Sequence, residues 1–402
     1  MTRKQAASGG ATSPHDDSRA LRMALALVMV LTVVRVAALF LTPLDLYPDE
    51  AQYWMWSRSL AFGYFSKPPL IAWIIAATTG IGGDAEAWVR LGAPVIQGLA
   101  ALAVFMAGRR LFDATTGLLA CALYATMPGV QLSSAVIATD APLMLCAALT
   151  LWAYAALLTA EGRARLWLAA AVGAAVGFAF LAKYAAVYLA AGVGLHFVLS
   201  REARRAWSWQ AMVLAGAVFA VILGPNMIWN ATHQFHTFEH TVANANWHAG
   251  DMFNIGEMLD FLASQLAVFG PVPFGVLLVG CGLAIRRRKL AAPDLMLLCF
   301  SLPALLSVTV QAFLSRANAN WASIGYVAGA LLVAHWLVRW RAGKWTVAAL
   351  AIQGLIAVLF LACVLSPRLG ESIGAANAFK RAKGWEAVTQ AVVARAQLEH
   401  AN

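Results

Sequence analysis

The sequence predicts an all-α protein that crosses a membrane many times. Hydrophobic residues make up 61% of the 402-residue chain and charged residues only 12%, which is about half the charged share of soluble domains. The mean hydropathy is +0.70. Apolar runs of about 20 residues recur along the chain, and a helix of that length crosses the hydrocarbon core of a bilayer. A soluble fold is therefore excluded.

The chain divides into a tail, a membrane domain and a second tail. Residues 1–22 are polar and rich in Ser, Gly and Ala, so we expect a disordered cytoplasmic tail. Residues 23–366 form the membrane domain, with outer loops at 43–84 and 230–256, and residues 367–402 form a short outer tail. The first outer loop contains two short interfacial helices. About eleven spans are predicted, at 23–42, 85–107, 116–134, 141–159, 166–181, 185–199, 209–229, 257–285, 295–313, 321–338 and 345–365.

The basic residues indicate which side of the membrane faces the cytoplasm. They form short clusters between the spans, and these clusters share one side if every span crosses once. The positive-inside rule makes that side cytoplasmic. The amino terminus is then inside and the carboxyl terminus outside. Because these clusters explain the net charge of +10, we expect no nucleic-acid partner. The clusters lie at Arg109-Arg110, Arg163 with Arg165, Arg201 with Arg204-Arg205, Arg286 to Lys289, and Arg339 to Lys344.

The first apolar run carries one charge, Arg35, in its outer half. A cation at that depth either snorkels to the interface or pairs within the helix bundle. The sequence leaves both possibilities open.

The loop after this run, YPDEAQYWMWSRSLAFGYFSKPPL, is dense in polar and aromatic residues. Pro48, Asp49 and Glu50 predict a helix start with Asp49 as the N-cap. Glu50 and Tyr53 then share one face of a short helix with Trp54 and Ser57. Lys67 lies just before two prolines that open a second helix. Two adjacent acids and a lysine in one aromatic loop favour an active site over an ordinary solvated loop.

Three more outer turns carry candidate site residues. Asp140 follows Thr139 at the start of a span, where the alternative is a simple N-cap. Lys183 stands between two apolar runs and either faces an outer cavity or snorkels to lipid. Arg316, near Asn318 and Asn320, offers a guanidinium that suits phosphate.

The outer loop at 230–256 is rich in histidine. His236 and His240 are four residues apart, as on one helix face, and are the weak candidates for a metal site. No HExxH motif is present, so we favour hydrogen-bonding or acceptor-contact roles for them.

These motifs together resemble a known family. The Asp49-Glu50 pair, the aromatic helix behind it, the SKPPL and TDAPL segments and the basic cytoplasmic loops are similar to the membrane glycosyltransferases of the dolichyl-phosphate-mannose protein mannosyltransferase type. This GT-C superfamily includes the aminoarabinose transferase of lipid A and the rhizobial galacturonosyltransferases. The likeness is close over residues 20–200 and looser afterwards. Many relatives carry a larger outer domain, so the tail at 367–402 indicates either a minimal member or a truncated one.

The resemblance implies roles for individual residues. Asp49 matches the catalytic aspartate and Glu50 its acidic neighbour, while Lys67 matches a lysine that holds the donor phosphate. Ser66 replaces an acidic residue that helps to bind a metal in the aminoarabinose transferase, so no cofactor is assigned and a divalent metal is disfavoured. Tyr53 and Tyr64 match aromatic residues of the same loop, and we expect them to contact the sugar or acceptor together with Glu50. Three residues are assigned by their location alone: Asp140 to the sugar or acceptor, and Lys183 and Arg316 to the donor phosphate. Arg58 is a further candidate for the donor phosphate.

The function implied is transfer of a sugar from a polyprenyl phosphate to a lipid or other envelope acceptor. It would take place among membrane lipids at the outer, periplasmic face of a cell inner membrane. A polyprenyl phosphate leaves as a stable anion, so one base, Asp49, suffices, and Lys67 stabilises the phosphate. A single displacement would invert the anomeric carbon. The alternatives are a transporter or lipid flippase and a non-catalytic partner of envelope enzymes.

Overall fold

The structure, a computed structural model, describes residues 14–244, 253–287, 290–374, 377 and 380–400. Within these residues the chain is helical and contains no β-strand, as the composition predicts. The helices are α1 (Pro14–Leu41), α2 (Pro48–Ser57), α3 (Leu70–Gly82), α4 (Glu86–Arg90), α5 (Gly92–Leu111), α6 (Ala114–Thr126), α7 (Pro128–Ala135), α8 (Asp140–Leu157), α9 (Gly162–Ala182), α10 (Val187–Leu199), α11 (Arg201–Ala206), α12 (Trp209–Thr232), α13 (His236–Ala243), α14 (Ile255–Val268), α15 (Pro271–Arg287), α16 (Ala292–Leu314), α17 (Gly325–Arg339), α18 (Gly343–Leu365), α19 (Pro367–Ser372) and α20 (Trp385–His400).

Seven helical stretches of the described chain are long and apolar enough to cross a membrane: α1, α4 with α5, α8, α9, α12, α16 and α18. Two bent pairs, α6 with α7 and α14 with α15, raise this number to nine if each pair is one span. The predicted spans at 185–199 and 321–338 correspond to apolar helices that are shorter than a full span, Tyr184–Leu199 and α17. The multi-pass, all-helical class is thus confirmed, whereas the number eleven is not.

Two spans that the sequence predicts as continuous, 116–134 and 257–285, are broken in the structure. The bend is 57° between α6 and α7 and 117° between α14 and α15. Pro128 opens α7, and a proline has no N–H to continue the hydrogen bonds of α6. At the second break Gly270 has a φ of +99°, which favours glycine, and Pro271 follows. Average hydropathy does not register such local breaks.

The amino-terminal prediction also needs correction. The structure is helical from Pro14, so the expected disordered tail is wrong for residues 14–22, while residues 1–13 lie outside the described residues. Asp16 and Asp17 occupy the first turn of α1, where acids favour a helix start, and Asp17 pairs with Arg109.

The carboxyl-terminal tail is anchored to the loop at 43–84. The Asp45 backbone N–H donates to the Ala382 carbonyl at 3.1 Å. The Asp45 carboxylate accepts from the Trp385 backbone N–H at 3.0 Å. The tail therefore lies beside the entrance to the first loop.

The loop at 43–84 is also held in place by the chain near the carboxyl end of α12. The Asn226 side-chain amide donates to the Phe62 carbonyl at 2.6 Å, and the Thr237 hydroxyl donates to the Tyr64 carbonyl at 2.6 Å. Gly63, between these two anchors, lies under the Trp229 indole. A Cβ on Gly63 would stand 2.3 Å from a ring carbon of Trp229.

We therefore expect Gly63→Ala to lower the free energy of unfolding by about 1–3 kcal/mol, the usual cost of overpacking. Gly80→Ala is the matched control, because a Cβ there meets no atom within 4 Å. Thermal unfolding in detergent measures both variants. Adding Trp229→Leu to Gly63→Ala should restore part of the stability. Equal midpoints for Gly63→Ala and Gly80→Ala would contradict the close packing.

Candidate active site

The α2 helix places Asp49 and Glu50 on different sides. The helix begins at Pro48, and Tyr47 is its N-cap, so the prediction that Asp49 is the N-cap is wrong by two positions. Glu50 Oε2 instead accepts the Tyr47 backbone N–H at 2.9 Å. Asp49 still lies in the first turn, near the positive end of the helix. Its side chain is exposed, whereas Glu50 is fully buried.

Asp49 faces a cavity of about 780 Å³ that several distant segments enclose. The predicted site residues Tyr53, Lys67, Asp140 and Lys183 line it too. If every predicted span crosses the membrane once, these residues lie on the same side. In the structure they meet in one cavity. His240, Asn318, Asn320 and Trp321 also line this cavity.

The two carboxylates of this cavity are not equivalent. Lys183 Nζ donates to Asp140 Oδ1 at 3.0 Å, and Asn320 Nδ2 donates to Oδ2 at 3.1 Å. Both oxygens of the nearly buried Asp140 are therefore occupied. Among the described residues the Asp49 carboxylate has no hydrogen bond or ion pair. Asp49 is thus available to a ligand, and Asp140 holds Lys183 in place.

Lys67 stands in a mixed electrostatic environment. Its pKa is lowered by burial and then by the nearby Lys183, while Asp49 and Asp140 act in the opposite direction. Two ammonium groups in one cavity are suited to a polyanionic group such as phosphate. Its neighbour His240 has a pKa lowered by burial and then by Lys67, so its imidazole is neutral near pH 7.

Tyr53 supplies a neutral hydroxyl to the same cavity. Burial raises its pKa, and the charges of Asp49, Asp140 and Glu50 raise it further. The phenol consequently stays protonated at any physiological pH and can donate a hydrogen bond.

The structure corrects the prediction that Glu50 contacts the sugar or acceptor. Its carboxylate lies against the Arg90 guanidinium, with Oε2 2.7 Å from Nη2 and Oε1 2.9 Å from Nε. Oε1 also accepts the Ile137 backbone N–H at 2.8 Å. Arg90 donates in addition to the carbonyls of Leu44 and Asp45. The pair therefore fastens the Asp49 helix to the segment that leads into Asp140.

The sequence pattern did not point to Arg90, because this residue lies inside the predicted span 85–107. The available signal was a basic residue inside a predicted span, as with Arg35, although Glu86 lies in the same span. Tyr188 was missed as well. It lines the cavity one helical turn after Tyr184.

Three other predicted site residues lie outside the cavity lining. The Tyr64 hydroxyl bonds to the backbone of its own loop, at Trp56, Ser59 and Ala61, and its ring stacks on Trp56. Arg58, at the far end of α2, pairs with Asp84 at 2.9 Å on the surface. Arg316 is exposed, while its neighbours Asn318 and Asn320 reach the cavity.

The two candidates for a metal site, His236 and His240, have different surroundings. His236 Nδ1 lies 3.6 Å from Glu239 Oε2, whereas His240 lines the cavity. Both rings pack against Phe65. Over the described residues, no three His, Cys, Asp or Glu side chains are grouped to hold a metal ion. His248 and Asp251 of the same loop lie outside the described residues.

An apolar groove of about 480 Å³ lies between α3, α5, α8 and α9. Its outer end includes Leu70 and Pro142, which follow Lys67 and Asp140 closely in the sequence. It extends along α8 to Ala153, a rise of about 16 Å at 1.5 Å per residue. A polar cavity next to an apolar groove within the membrane domain suits a long-chain lipid that carries a polar head.

The described residues thus form a bundle of membrane helices with a charged cavity at the ends of several helices, and comparisons with known proteins identify the class. Residues 66–229 match the sequence model of the family described as dolichyl-phosphate-mannose-protein mannosyltransferase. The chain is also 38% identical over 351 residues to the lipid A galacturonosyltransferase RgtD of Rhizobium johnstonii, covering 86% of this chain and 72% of that protein. The chain belongs to this GT-C family of membrane glycosyltransferases, which confirms the resemblance.

Solved structures show the same fold. ArnT from Cupriavidus metallidurans bound to undecaprenyl phosphate has a TM-score of 0.63 at 20% identity, over 87% of this chain and 72% of that one. Apo ArnT has a TM-score of 0.60 at 22% identity, over 79% of this chain, which spans 60% of its length. The Archaeoglobus fulgidus oligosaccharyltransferase has a TM-score of 0.54 at 13% identity, over 86% of this chain and 55% of that one.

Proposed function

We propose that this protein transfers a sugar from a polyprenyl-phosphate donor to a lipid or other envelope acceptor at the outer face of the membrane. One observation carries the proposal: Asp49 and Lys67 line one cavity, although 17 residues separate them in the sequence. The cavity thus combines an unpaired carboxylate with ammonium groups, as attack on a phosphate-activated sugar requires.

The donor fits the two adjoining spaces. The phosphate lies against Lys67, with Lys183 nearby, and the prenyl chain runs along the apolar groove that begins at Leu70. ArnT, which shares the fold, has been solved with undecaprenyl phosphate. Because the relative RgtD is named a lipid A galacturonosyltransferase, we propose a uronic-acid sugar and lipid A as the first donor and acceptor to test.

The reaction is a single displacement. Asp49 takes the proton from an acceptor hydroxyl, and the acceptor oxygen forms a bond to the anomeric carbon. The bond from that carbon to the phosphate oxygen breaks, and polyprenyl phosphate leaves with the electron pair. Lys67 stabilises its charge. The family match begins at Ser66, so the role of Asp49 rests on the geometry of the cavity. Attack from the side opposite the phosphate inverts the anomeric carbon.

The orientation follows from the basic clusters. We propose that the protein lies in a cell inner membrane with its amino terminus in the cytoplasm and its carboxyl terminus in the periplasm. The clusters at Arg109-Arg110 and Arg204-Arg205 then face the cytoplasm. The cavity opens on the opposite side.

Proteoliposomes that contain the purified protein, a polyprenyl-phosphate uronic acid and lipid A test the function. Mass spectrometry should show lipid A heavier by one sugar residue. Movement of the donor between leaflets without any glycosylated product would contradict a transferase and indicate a flippase. A panel of other polyprenyl-phosphate sugars and acceptors separates a wrong choice of substrate from a wrong reaction class.

The pH dependence follows from the lowered pKa of Lys67. Lys67 must carry its proton to bind the phosphate, so kcat/KM for the donor should fall as the pH rises through this pKa. Because burial and Lys183 lower it, the fall should begin at a lower pH than for an ordinary lysine. The guanidinium of the Lys67→Arg variant keeps its charge at high pH. The kcat/KM that remains in this variant should therefore not decrease at alkaline pH. The same alkaline limb in both proteins would assign the titration to another group.

A further inference from the structure

Arg35 resolves the choice that the sequence left open, because its side chain turns into the helix bundle. Only 8% of the residue is exposed. Its Nη2 donates to the Ala125 carbonyl at 2.5 Å and to Gln131 Oε1 at 3.0 Å. Its Nε is buried without a partner.

The contact with Ala125 explains part of this arrangement. The break between α6 and α7 frees carbonyls at the end of α6, and Arg35 and Gln131 Nε2 both bond to that of Ala125. A helix end carries only about half a negative charge. No carboxylate of the described chain forms an ion pair with Arg35. A full positive charge thus lies within the membrane domain without a full counter-charge, an unfavourable state.

A cavity of about 150 Å³ lies beside Arg35, between α1, α7 and α18. Its polar lining is Arg35, Gln131 and Ser134, and the rest of the lining is apolar, including Leu31 and Leu361. In α1 and α18 only 28% and 22% of the most apolar stretch is buried within the protein, so both helices mainly face lipid. No residue lines both this cavity and the one that contains Asp49.

We propose that this cavity binds the phosphate of an acidic phospholipid, which accepts a hydrogen bond from the Arg35 guanidinium while its acyl chains lie along α1 and α18. The cavity volume holds a phosphate but not a whole lipid, so the chains must extend onto the lipid-facing surface. Arg35 is six residues before the outer end of α1, a depth of about 9 Å. Arginines inside a membrane draw polar groups and thin the bilayer locally, so an outer-leaflet phosphate can reach that depth.

The test uses delipidated full-length protein in a mild detergent. Phosphatidylglycerol, phosphatidylethanolamine and inorganic phosphate are added separately, and native mass spectrometry and thermal unfolding report binding. We expect one phosphatidylglycerol to be retained and to raise the unfolding midpoint. The other two should bind more weakly. Equal retention of phosphatidylethanolamine, or an equal effect of inorganic phosphate, would overturn the assignment to an acidic lipid.

Variants locate the site. Arg35→Gln should weaken phosphatidylglycerol binding by about tenfold or more, the loss of one charge-assisted hydrogen bond. Arg368→Gln is the control, because Arg368 is an exposed cation beyond the outer end of α18. If Arg35→Gln does not fold, Ala357→Phe fills the cavity and keeps the guanidinium. Unchanged phosphatidylglycerol binding in Ala357→Phe would refute the site, whatever the outcome for sugar transfer.

Discussion

Replacing Asp49 with Asn should slow sugar transfer by about 10²–10⁴-fold, the usual contribution of a positioned base. The amide keeps the shape of the side chain but cannot take the acceptor proton. Because Lys67 and Lys183 still line the cavity, the KM for the donor should change little. The measurement is the steady-state rate in proteoliposomes at saturating donor.

Two aspartates on the same side of the membrane serve as controls for Asp49→Asn. Asp84 is exposed, bonds to Arg58 and Trp54 and lies outside the cavity lining, so Asp84→Asn should retain nearly full activity. Asp140 lines the cavity but has both oxygens occupied. Asp140→Asn should therefore act mainly by loosening Lys183 and should raise the KM for the donor. If Asp49→Asn kept full transfer activity and Asp140→Asn abolished it, Asp140 and not Asp49 would be the general base.

Breaking the buried pair between Glu50 and Arg90 should have the largest effect on stability. We expect Glu50→Gln to lower the free energy of unfolding by about 3–5 kcal/mol, because the Arg90 charge would be left buried without its counter-charge. Both side chains are at most 2% exposed. Transfer should fall too, since the pair links the Asp49 helix to the segment before Asp140.

An exposed ion pair in the same loop provides the comparison. Arg58→Gln breaks the surface pair with Asp84 and should cost less than about 1 kcal/mol. The double variant Glu50→Gln with Arg90→Gln should be less destabilised than the sum of the single variants, because it leaves no unpaired charge. Thermal and denaturant unfolding in detergent measure all four proteins. Equal losses for Glu50→Gln and Arg58→Gln would show that the buried pair has no special structural role.

The sequence was sufficient for the fold class and for part of the site. Composition and the length of apolar runs indicate a helical membrane protein, because each backbone polar group must be bonded inside a bilayer. Counting each predicted span as one crossing placed the loops of Asp49, Asp140 and Lys183 on one side of the membrane. In the structure these three residues line one cavity. Hydropathy missed the sharp breaks at Pro128 and Gly270, since a proline or glycine changes an average very little.

The sequence did not distinguish the roles of residues that are close together in the chain, such as Asp49, Glu50 and Arg58. Successive residues on a helix point about 100° apart, so Asp49 faces the cavity while Glu50 faces the bundle. Arg58 is nine residues further along, about 13 Å from Asp49 on a helix of 1.5 Å rise, and therefore lies beyond the cavity. The partner of Glu50, Arg90, comes from another helix. Such a pairing depends on tertiary packing that a short motif does not encode.

A structure of this protein with a polyprenyl phosphate bound would test the central claim most directly. We predict that a phosphate oxygen lies within about 3 Å of Lys67 Nζ, that the first prenyl units pack against Leu70 and Pro142, and that the Asp49 carboxylate faces the sugar side of the phosphate. A phosphate bound instead at Arg58 or Arg316, with Lys67 and Asp49 both out of contact, would contradict the account.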